Sequence, residues 1–158
     1  MKNLLVIICF SLTWGLIAQK NYQKKYYDNG QLKEEGWLKD GIKTKYWKFY
    51  YENGALQKEG HFKNGKPNKY WYFYHENKTK HREGHYVNGI ECKWWLFYNE
   101  DENVNYKCQL KNNQKNGYCL CYKNEQLVSV EKYQNDKKIG TWTNLESFKK
   151  ENNIWDFR

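Results

Sequence analysis

The chain has 158 residues, a formal net charge of +9 and 19% aromatic residues. This length suits one domain of ordinary size, and eight tryptophans with fifteen tyrosines argue against a helical fold because aromatic residues are enriched in strands. The positive charge suits anionic partners, although net charge bears on solubility and association rather than on fold.

Residues 1–18 have the pattern of a cleaved export signal. Lys2 precedes an apolar run that starts at Leu4, and Ala18 stands before Gln19. The run is too short and too interrupted for a comfortable membrane span. We therefore expect cleavage near Ala18 and an exported protein, whether periplasmic, secreted or on the outer surface. Two alternatives remain open, lipid attachment at Cys9 and an uncleaved membrane anchor.

After a lead-in at 19–25, residues 26–142 repeat with a period of 24. The segment "YYDNGQLKEEGWLKDGIKTKYWKF" (26–49) matches "YYENGALQKEGHFKNGKPNKYWYF" (50–73) almost position by position. A third unit follows at 74–97 and a more divergent fourth at 98–121. A fifth runs from Tyr122 to Trp142, one residue out of register. Such a period is the signature of a repeat architecture.

Each repeat contains two turn signals. The "DNG" at 28–30 and the "KDG" at 39–41 recur in the following units, and Asn-Gly suits the positive φ angles of a type I′ hairpin turn. The segments between them have the length of ordinary strands. We therefore predict an all-β fold, an elongated antiparallel meander of about five stacked hairpins and about ten strands.

Alternation along these strands assigns the two faces of the sheet. One face should be a core of large rings over glycines, and it comprises Trp47, Phe49, Trp71, Phe73, Trp95 and Phe97 with Gly36, Gly60 and Gly84. The other face should carry Glu35, Glu59 and Glu83 beside a row of rings, namely Tyr46, Tyr70, Trp94 and Tyr118. This row is a candidate ligand ladder because spaced rings can stack on sugars or bases. Alternatively, the rings pack on neighbours within the sheet.

The segments "EGWLKDG", "EGHFKNG" and "EGHYVNG", followed by a Trp and by "YYxNG", carry a family resemblance. Over residues 26–142 the chain resembles the MORN (membrane occupation and recognition nexus) repeat family in its bacterial variant form. It departs from that pattern where the glycine before the Trp is Lys45, Lys69 or Lys93. The resemblance implies a curved sheet of stacked hairpins that serves as a binding or scaffolding surface. Some bacterial relatives are labelled antitoxins, which implies an antitoxin-like inhibitor as a further expectation.

Charge is sorted between the two rows of turns. One row is acidic and comprises Asp28, Glu52, Glu76, Glu100, Asp101 and Glu102. The opposite row should form a basic edge of Lys39, Lys43, Lys63, Lys66, Lys111, Lys115, Lys137 and Lys138. That edge could meet an anionic membrane surface, a polysaccharide or an acidic protein. It could equally keep the sheet soluble and separate from other sheets.

Residues 143–158 should form a C-terminal cap. Thr143 and Glu146 have capping-box spacing, and Leu145 and Phe148 fall on one face of a short helix. An open-ended repeat sheet needs such a cover.

The cysteines suggest a disulfide inside the fourth repeat. Cys119 stands where other repeats have Trp, Cys121 where they have Phe, and Cys108 where they have Gly on the neighbouring strand. Directly opposed strand positions come close enough for a disulfide. We expect a bridge from Cys108 to Cys119, or less readily to Cys121, with Cys92 left free. A zinc site built from these cysteines lacks ligand spacing.

No sequence signature indicates catalysis. His61, His81 and His85 could offer metal ligands, but equivalent strands of adjacent repeats lie about 10 Å apart, and solvated positions explain them better. The chain has no nucleophile-with-base signature and no phosphate loop. We expect no catalytic residues, cofactor or metal. The predicted function is an exported, non-catalytic module that binds a protein or a cell-envelope polymer. The alternative is binding of a glycan or an anionic membrane, and nucleic acid is an improbable partner for an exported chain.

Overall fold

The computed structural model describes residues 19–157 and contains one antiparallel sheet in which strands follow each other in chain order. The strands are β1 (Lys20–Tyr26), β2 (Leu32–Lys39), β3 (Ile42–Tyr50), β4 (Leu56–Lys63), β5 (Lys66–Tyr74), β6 (Lys80–Val87), β7 (Ile90–Tyr98), β8 (Val104–Lys111), β9 (Gln114–Lys123), β10 (Gln126–Gln134) and β11 (Lys137–Trp142). Helix α1 (Leu145–Glu151) and a 3₁₀ turn (Ile154–Phe157) follow. The predicted all-β meander with a short helical cap is confirmed. It has eleven strands because the lead-in at 19–25 supplies most of β1.

Two kinds of turn join the strands. In the two-residue turns both central residues have positive φ, as a type I′ turn requires, and these turns are Asp40–Gly41, Asn64–Gly65, Asn88–Gly89, Asn112–Asn113, Asn124–Glu125 and Asn135–Asp136. The "DNG" turn differs from our prediction, because only Gly30 has positive φ (84°). Tyr27 N–H donates to the Gln31 carbonyl (2.8 Å) and Gly30 N–H to the Tyr27 carbonyl (2.9 Å). This is a three-residue loop with glycine in the left-handed position.

A β-bulge interrupts the strand before the Trp that recurs in the first three repeats. Trp37 on β2 pairs with Thr44 and Gly36 pairs with Trp47, so Lys45 and Tyr46 have no partner on β2. The same shift recurs at Lys69 and Lys93, and all three lysines have φ between 57° and 65°. Because two residues are inserted, Trp47 stays on the face that simple alternation predicts. The alternation of faces is broken at the inserted residues, the first of which has positive φ.

The face that carries Trp47, Trp71 and Trp95, hereafter the tryptophan face, contains the main buried rings. These three side chains are 1%, 2% and 0% exposed. The Trp71 indole is edge-on to the Phe62 ring at a centroid distance of 5.1 Å, and its N–H donates to the carbonyl of His61 (3.1 Å). Since one sheet has no second layer on this side, the rings bury one another.

The disulfide lies on the tryptophan face of the fourth repeat. It joins Cys108 to Cys119, the first of the two expected pairings, and their Cα atoms are 4.0 Å apart. The two residues are directly opposed on β8 and β9, as Gly36 and Trp47 are on β2 and β3. Cys92 and Cys121 are free.

The opposite face, hereafter the tyrosine face, carries the cap. On β11 only Ile139 lacks a partner on β10, whereas each bulge of the first three repeats leaves two residues unpaired, and this difference places Trp142 opposite Val130 on the tyrosine face. The Phe148 ring of α1 packs edge-on against the rings of Tyr118 (5.7 Å) and Trp142 (5.5 Å). The cap therefore covers a face of the last repeats rather than the edge strand.

The start of α1 differs from the predicted capping box. The N-cap is Asn144, whose side-chain oxygen accepts from Ser147 N–H (2.8 Å), and Thr143 lies outside the helix. Phe148 is buried as expected, but Leu145 is 62% exposed because the packed surface of this short helix is only one residue wide. Within residues 19–157, no helix has the length and apolar character to cross a membrane.

Candidate functional site: a ligand-binding face

The part of the tyrosine face that α1 leaves uncovered is the candidate site. Of the predicted ladder, Tyr46, Tyr70 and Trp94 are partly exposed. Tyr118 is only 2% exposed beneath α1, and its hydroxyl lies 2.9 Å from Asn152 Oδ1. Including Tyr118 in the ladder was therefore wrong, because a helix more than twenty residues later in the chain folds over it. Trp94 borders this cap, packs against its buried cluster and lies under the Lys107 ammonium (5.1 Å).

Tyrosine hydroxyls hold the glutamates of this face in a regular row. In each of three repeats, a tyrosine donates a hydrogen bond to the glutamate fifteen residues earlier, and the pairs are Tyr50–Glu35 (2.7 Å), Tyr74–Glu59 (3.0 Å) and Tyr98–Glu83 (2.8 Å). Each hydroxyl occupies one carboxylate oxygen, and an ionised carboxylate has about four acceptor sites. Part of this capacity is already used, because Lys24 lies 3.6 Å from Glu35 and Lys80 lies 3.5 Å from Glu83, which is only 9% exposed. The capacity that remains for a ligand is therefore greatest at Glu35 and Glu59.

The rings of the ladder pack edge-on against histidines on the next strand. Tyr46 contacts His61 at a centroid distance of 4.9 Å, and Tyr70 contacts His85 at 4.7 Å. Burial and the nearby Glu83 carboxylate raise the pKa of Tyr70 to about 12, so its hydroxyl stays protonated and can donate. One edge of each ring therefore packs on a neighbour, as in the alternative to ligand stacking. Part of each side chain remains accessible.

Three lysines that we did not single out as site residues lie along this row, at the bulges. We call Lys45, Lys69 and Lys93 the bulge lysines. The Lys45 ammonium lies 4.7 Å from the centre of the Trp37 ring. Burial first, and the positive charge of Lys69 second, lower the pKa of His61. Burial and Lys93 have the same effect on the pKa of His85.

A shallow groove forms where two bulges approach each other. It has a volume of about 530 Å³ and is lined by Trp37, Lys45, Tyr46, His61 and Lys69, among others. At its outer end Trp37 is 36% exposed, and the ring of Tyr22 beside it is 47% exposed. Aromatic, cationic and hydrogen-bonding groups therefore converge on one surface.

The predicted basic edge is only partly a single surface. Lys39, Lys63, Lys66, Lys111 and Lys137 are exposed beside the turns, and Lys138 is paired with Glu131 (3.0 Å). Lys43 and Lys115 lie instead on the tryptophan face, over Trp47 (4.2 Å) and Tyr133 (4.9 Å) respectively. Assigning them to the edge was wrong, because each is the second residue of its strand and its side chain points to a face of the sheet and not outward beside the turn. The acidic turn residues are exposed.

The described residues offer binding groups rather than a metal site. Within residues 19–157, no group of three or more His, Cys, Asp or Glu side chains is arranged to hold a metal ion. His85 lies opposite Cys92 in register, and His75 contacts His81 at 4.5 Å. Comparison with known proteins finds no matching family model and no matching curated relative.

Proposed function

We propose that the protein is a non-catalytic binding module whose ligand, a protein or a cell-envelope polymer, docks on the uncovered tyrosine face. The observation that carries this proposal is the repetition of one arrangement of groups across that face. Each of three successive repeats presents a ring, a glutamate held by a tyrosine and a bulge lysine. A surface that repeats the same groups suits an extended ligand better than a single small molecule.

The N-terminal sequence and the family resemblance give independent support. Residues 1–18, which carry the export pattern, lie outside the described residues. Because of this pattern, the proposed place of action is outside the cytoplasm. The resemblance to MORN repeats points to a scaffolding or binding surface. The disulfide agrees with an oxidising compartment, since disulfides persist mainly there.

Retention on cell-envelope material tests this proposal. The exported, disulfide-bonded protein is immobilised and incubated with separated polysaccharide and protein fractions of the envelope. A variant that combines Trp37→Ala and Tyr70→Ala removes two partly exposed rings of the face. Its matched control combines Val128→Ala and Ile139→Ala, which removes two exposed apolar side chains from the C-terminal strands. We expect retention by the native protein and the control and at least a severalfold loss in the ring variant. Equal retention by all three proteins would remove the tyrosine face as the binding surface.

A glycan ligand is the second candidate, and the groove beside Trp37 favours it. Exposed rings can cover the apolar faces of sugars as they cover bases, while the glutamates nearby can accept hydrogen bonds from hydroxyls. In the same assay, this candidate requires retention by the polysaccharide fraction after protein has been digested from it.

A further inference from the structure

The bulge lysines occupy a backbone conformation that disfavours them. Their φ angles of 57°, 65° and 62° are left-handed, a conformation that is sterically unfavourable for a residue with a Cβ but not for glycine. The fourth repeat has Gly117 at the equivalent place, with φ of 115°. Three repeats therefore retain the same unfavourable residue. Outside turns, local strain of this kind often clusters at functional sites.

Each bulge lysine lies beside an aromatic or imidazole ring of the tyrosine face. Lys45 lies over Trp37, and Lys69 and Lys93 lie close enough to His61 and His85 to lower their pKa values. The three ammonium groups thus share one face and one position in the repeat. Within residues 19–157, none of the three forms an ion pair, so their charges are available to a ligand.

The spacing of these lysines defines a linear track. Equivalent residues of adjacent repeats lie two strands apart, about 10 Å, so the three lysines extend over roughly 20 Å. Tyr46 and Tyr70 directly follow Lys45 and Lys69 on the same strands, and their rings pack against His61 and His85 on the next strands. A ligand that meets all three lysines must be extended and must carry anionic groups at a regular interval.

The glutamates of the same face indicate which chemical class of ligand can bind there. Glu35, Glu59 and Glu83 run alongside the lysines and accept hydrogen bonds from tyrosines. Any polyanion brings like charges near these carboxylates, which is unfavourable, so a ligand that fits this face must also supply hydrogen-bond donors to them. A sugar supplies many hydroxyl donors for the carboxylates and an apolar face for the rings. Only an acidic sugar adds carboxylates for the lysines.

We propose that the tyrosine face binds an acidic polysaccharide along the bulge-lysine track. The carboxylates of the polymer pair with Lys45, Lys69 and Lys93, and its hydroxyls donate to Glu35 and Glu59. Its sugar rings lie on Trp37, Tyr46 and Tyr70. This assignment rests on the proposed function, since it names the ligand of the same face. It adds the requirement that the ligand be anionic, extended and recognised through its charge.

The test uses polygalacturonate, a linear polymer of uronic acids, and the same polymer with its carboxyl groups methyl-esterified. The key variant is Lys45→Gly, Lys69→Gly and Lys93→Gly together, which removes three charges while giving the backbone the residue that its φ angles favour. The matched control is Lys39→Gln, Lys63→Gln and Lys111→Gln, which removes three charges from the exposed turn edge. Binding is measured by calorimetry at low and at high salt, and thermal unfolding checks the fold of each variant.

We expect the native protein to bind polygalacturonate in a salt-sensitive manner and to bind the esterified polymer much more weakly. The bulge variant should lose affinity roughly tenfold, because three partly exposed ion pairs contribute about 0.5 kcal/mol each, while the edge control should change less than about twofold. Equal affinity for the two polymers, or equal losses in both variants, would overturn the acidic-polysaccharide assignment.

Two further arms separate this assignment from the proposed function. Lysine-dependent binding that is tighter to phosphatidylglycerol vesicles or to a single-stranded oligonucleotide than to polygalacturonate would overturn the ligand class but keep the face as a binding surface. Retention of envelope material that depends on Trp37 and Tyr70 but not on the bulge lysines would do the same. If the native protein retains no envelope fraction and binds none of these probes, both proposals fail.

Discussion

The indole of Trp71 lies flat against the backbone of Gly60, so that a Cβ at position 60 would stand 2.3 Å from Trp71 Cδ2. The same close approach joins Gly36 to Trp47 and Gly84 to Trp95. No side chain fits in this space, because real carbon atoms do not approach to that distance. We predict that Gly60→Ala lowers the free energy of unfolding by about 2–3 kcal/mol, as overpacking of a rigid core does. Chemical denaturation measures this loss.

A double-mutant cycle ties the loss to this contact. In a Trp71→Leu background, the smaller side chain leaves room for the added methyl group, so Gly60→Ala should cost much less there. If the alanine costs the same with either residue at position 71, then the effect arises from the local backbone and not from the ring.

The disulfide between Cys108 and Cys119 replaces a glycine–tryptophan pair and closes a short loop of eleven residues in sequence separation. A covalent link of this loop length restricts the unfolded chain and stabilises the fold by about 2–3 kcal/mol. We predict that Cys108→Ala with Cys119→Ala lowers the free energy of unfolding by that amount. Cys92→Ser, at a free and partly exposed cysteine, should leave it nearly unchanged, and chemical denaturation compares the two. An equal effect of both variants would contradict a specific role for this bridge.

Lys45 and Lys48 lie in the same strand but differ in backbone conformation, and this makes them a matched pair. Only Lys45 has positive φ. We predict that Lys45→Gly raises the free energy of unfolding by up to about 1 kcal/mol, since glycine accepts the left-handed conformation without a steric cost. Lys48→Gly should lower the free energy of unfolding by about 0.5–1 kcal/mol. Glycine in an ordinary strand relieves no steric cost and increases the conformational entropy of the unfolded chain. Thermal unfolding distinguishes the two signs, and the same sign for both would contradict the role of the bulge.

The bulges also mark the limit of what the sequence could predict. The period of 24, the hairpins and the coupled change of Gly36 and Trp47 positions into cysteines were all readable, because each repeat reinforces the same local signals. Alternation assumes that no residue is inserted, so it could not place Lys45 beside Trp37 on the tyrosine face. Nor could it show that α1 covers Tyr118, since that contact depends on tertiary packing between distant segments. The signal that could have revealed the bulge lysines was the loss of glycine at a position where repeats 4 and 5 retain it.

The two histidines beside the bulge lysines should make stability depend on pH near neutrality. Burial and the neighbouring lysines lower the pKa values of His61 and His85 below the ordinary value of 6.5. The unfolded chain therefore binds these protons at higher pH than the folded one, so stability is complete above about pH 6.5 and falls as the pH drops towards the folded pKa values. We compare urea unfolding at about pH 7.5 and about pH 5 for the native protein and for His61→Gln with His85→Gln. The variant should lose less stability on acidification, and an equal loss would contradict the lowered pKa values.

Lys58 is a cation on the tryptophan face, and its repeat has no carboxylate at the position that would pair with it. Lys43 pairs with Glu34 in the first repeat, and Arg82 pairs with Glu91 (2.9 Å) in the third. In the second repeat the same two positions hold Lys58 and Pro67, and within residues 19–157 no carboxylate forms an ion pair with Lys58. Its ammonium lies 5.0 Å from the centre of the Phe49 ring. Burial first, and the charges of Lys43 and Arg82 second, lower the pKa of Lys58.

Replacing Pro67 by glutamate should therefore supply the missing partner. Because loss of proline also loosens the unfolded chain, the reference is Pro67→Gln, which has the same shape without the charge. We predict that Pro67→Glu is more stable than Pro67→Gln by about 0.5 kcal/mol at low salt, the usual contribution of a partly exposed ion pair. The difference should shrink at high salt through screening and vanish when Lys58 is changed to Met. Thermal unfolding of the four proteins measures it, and a difference that persists without Lys58 would show that the glutamate acts on Lys43 or Arg82 instead.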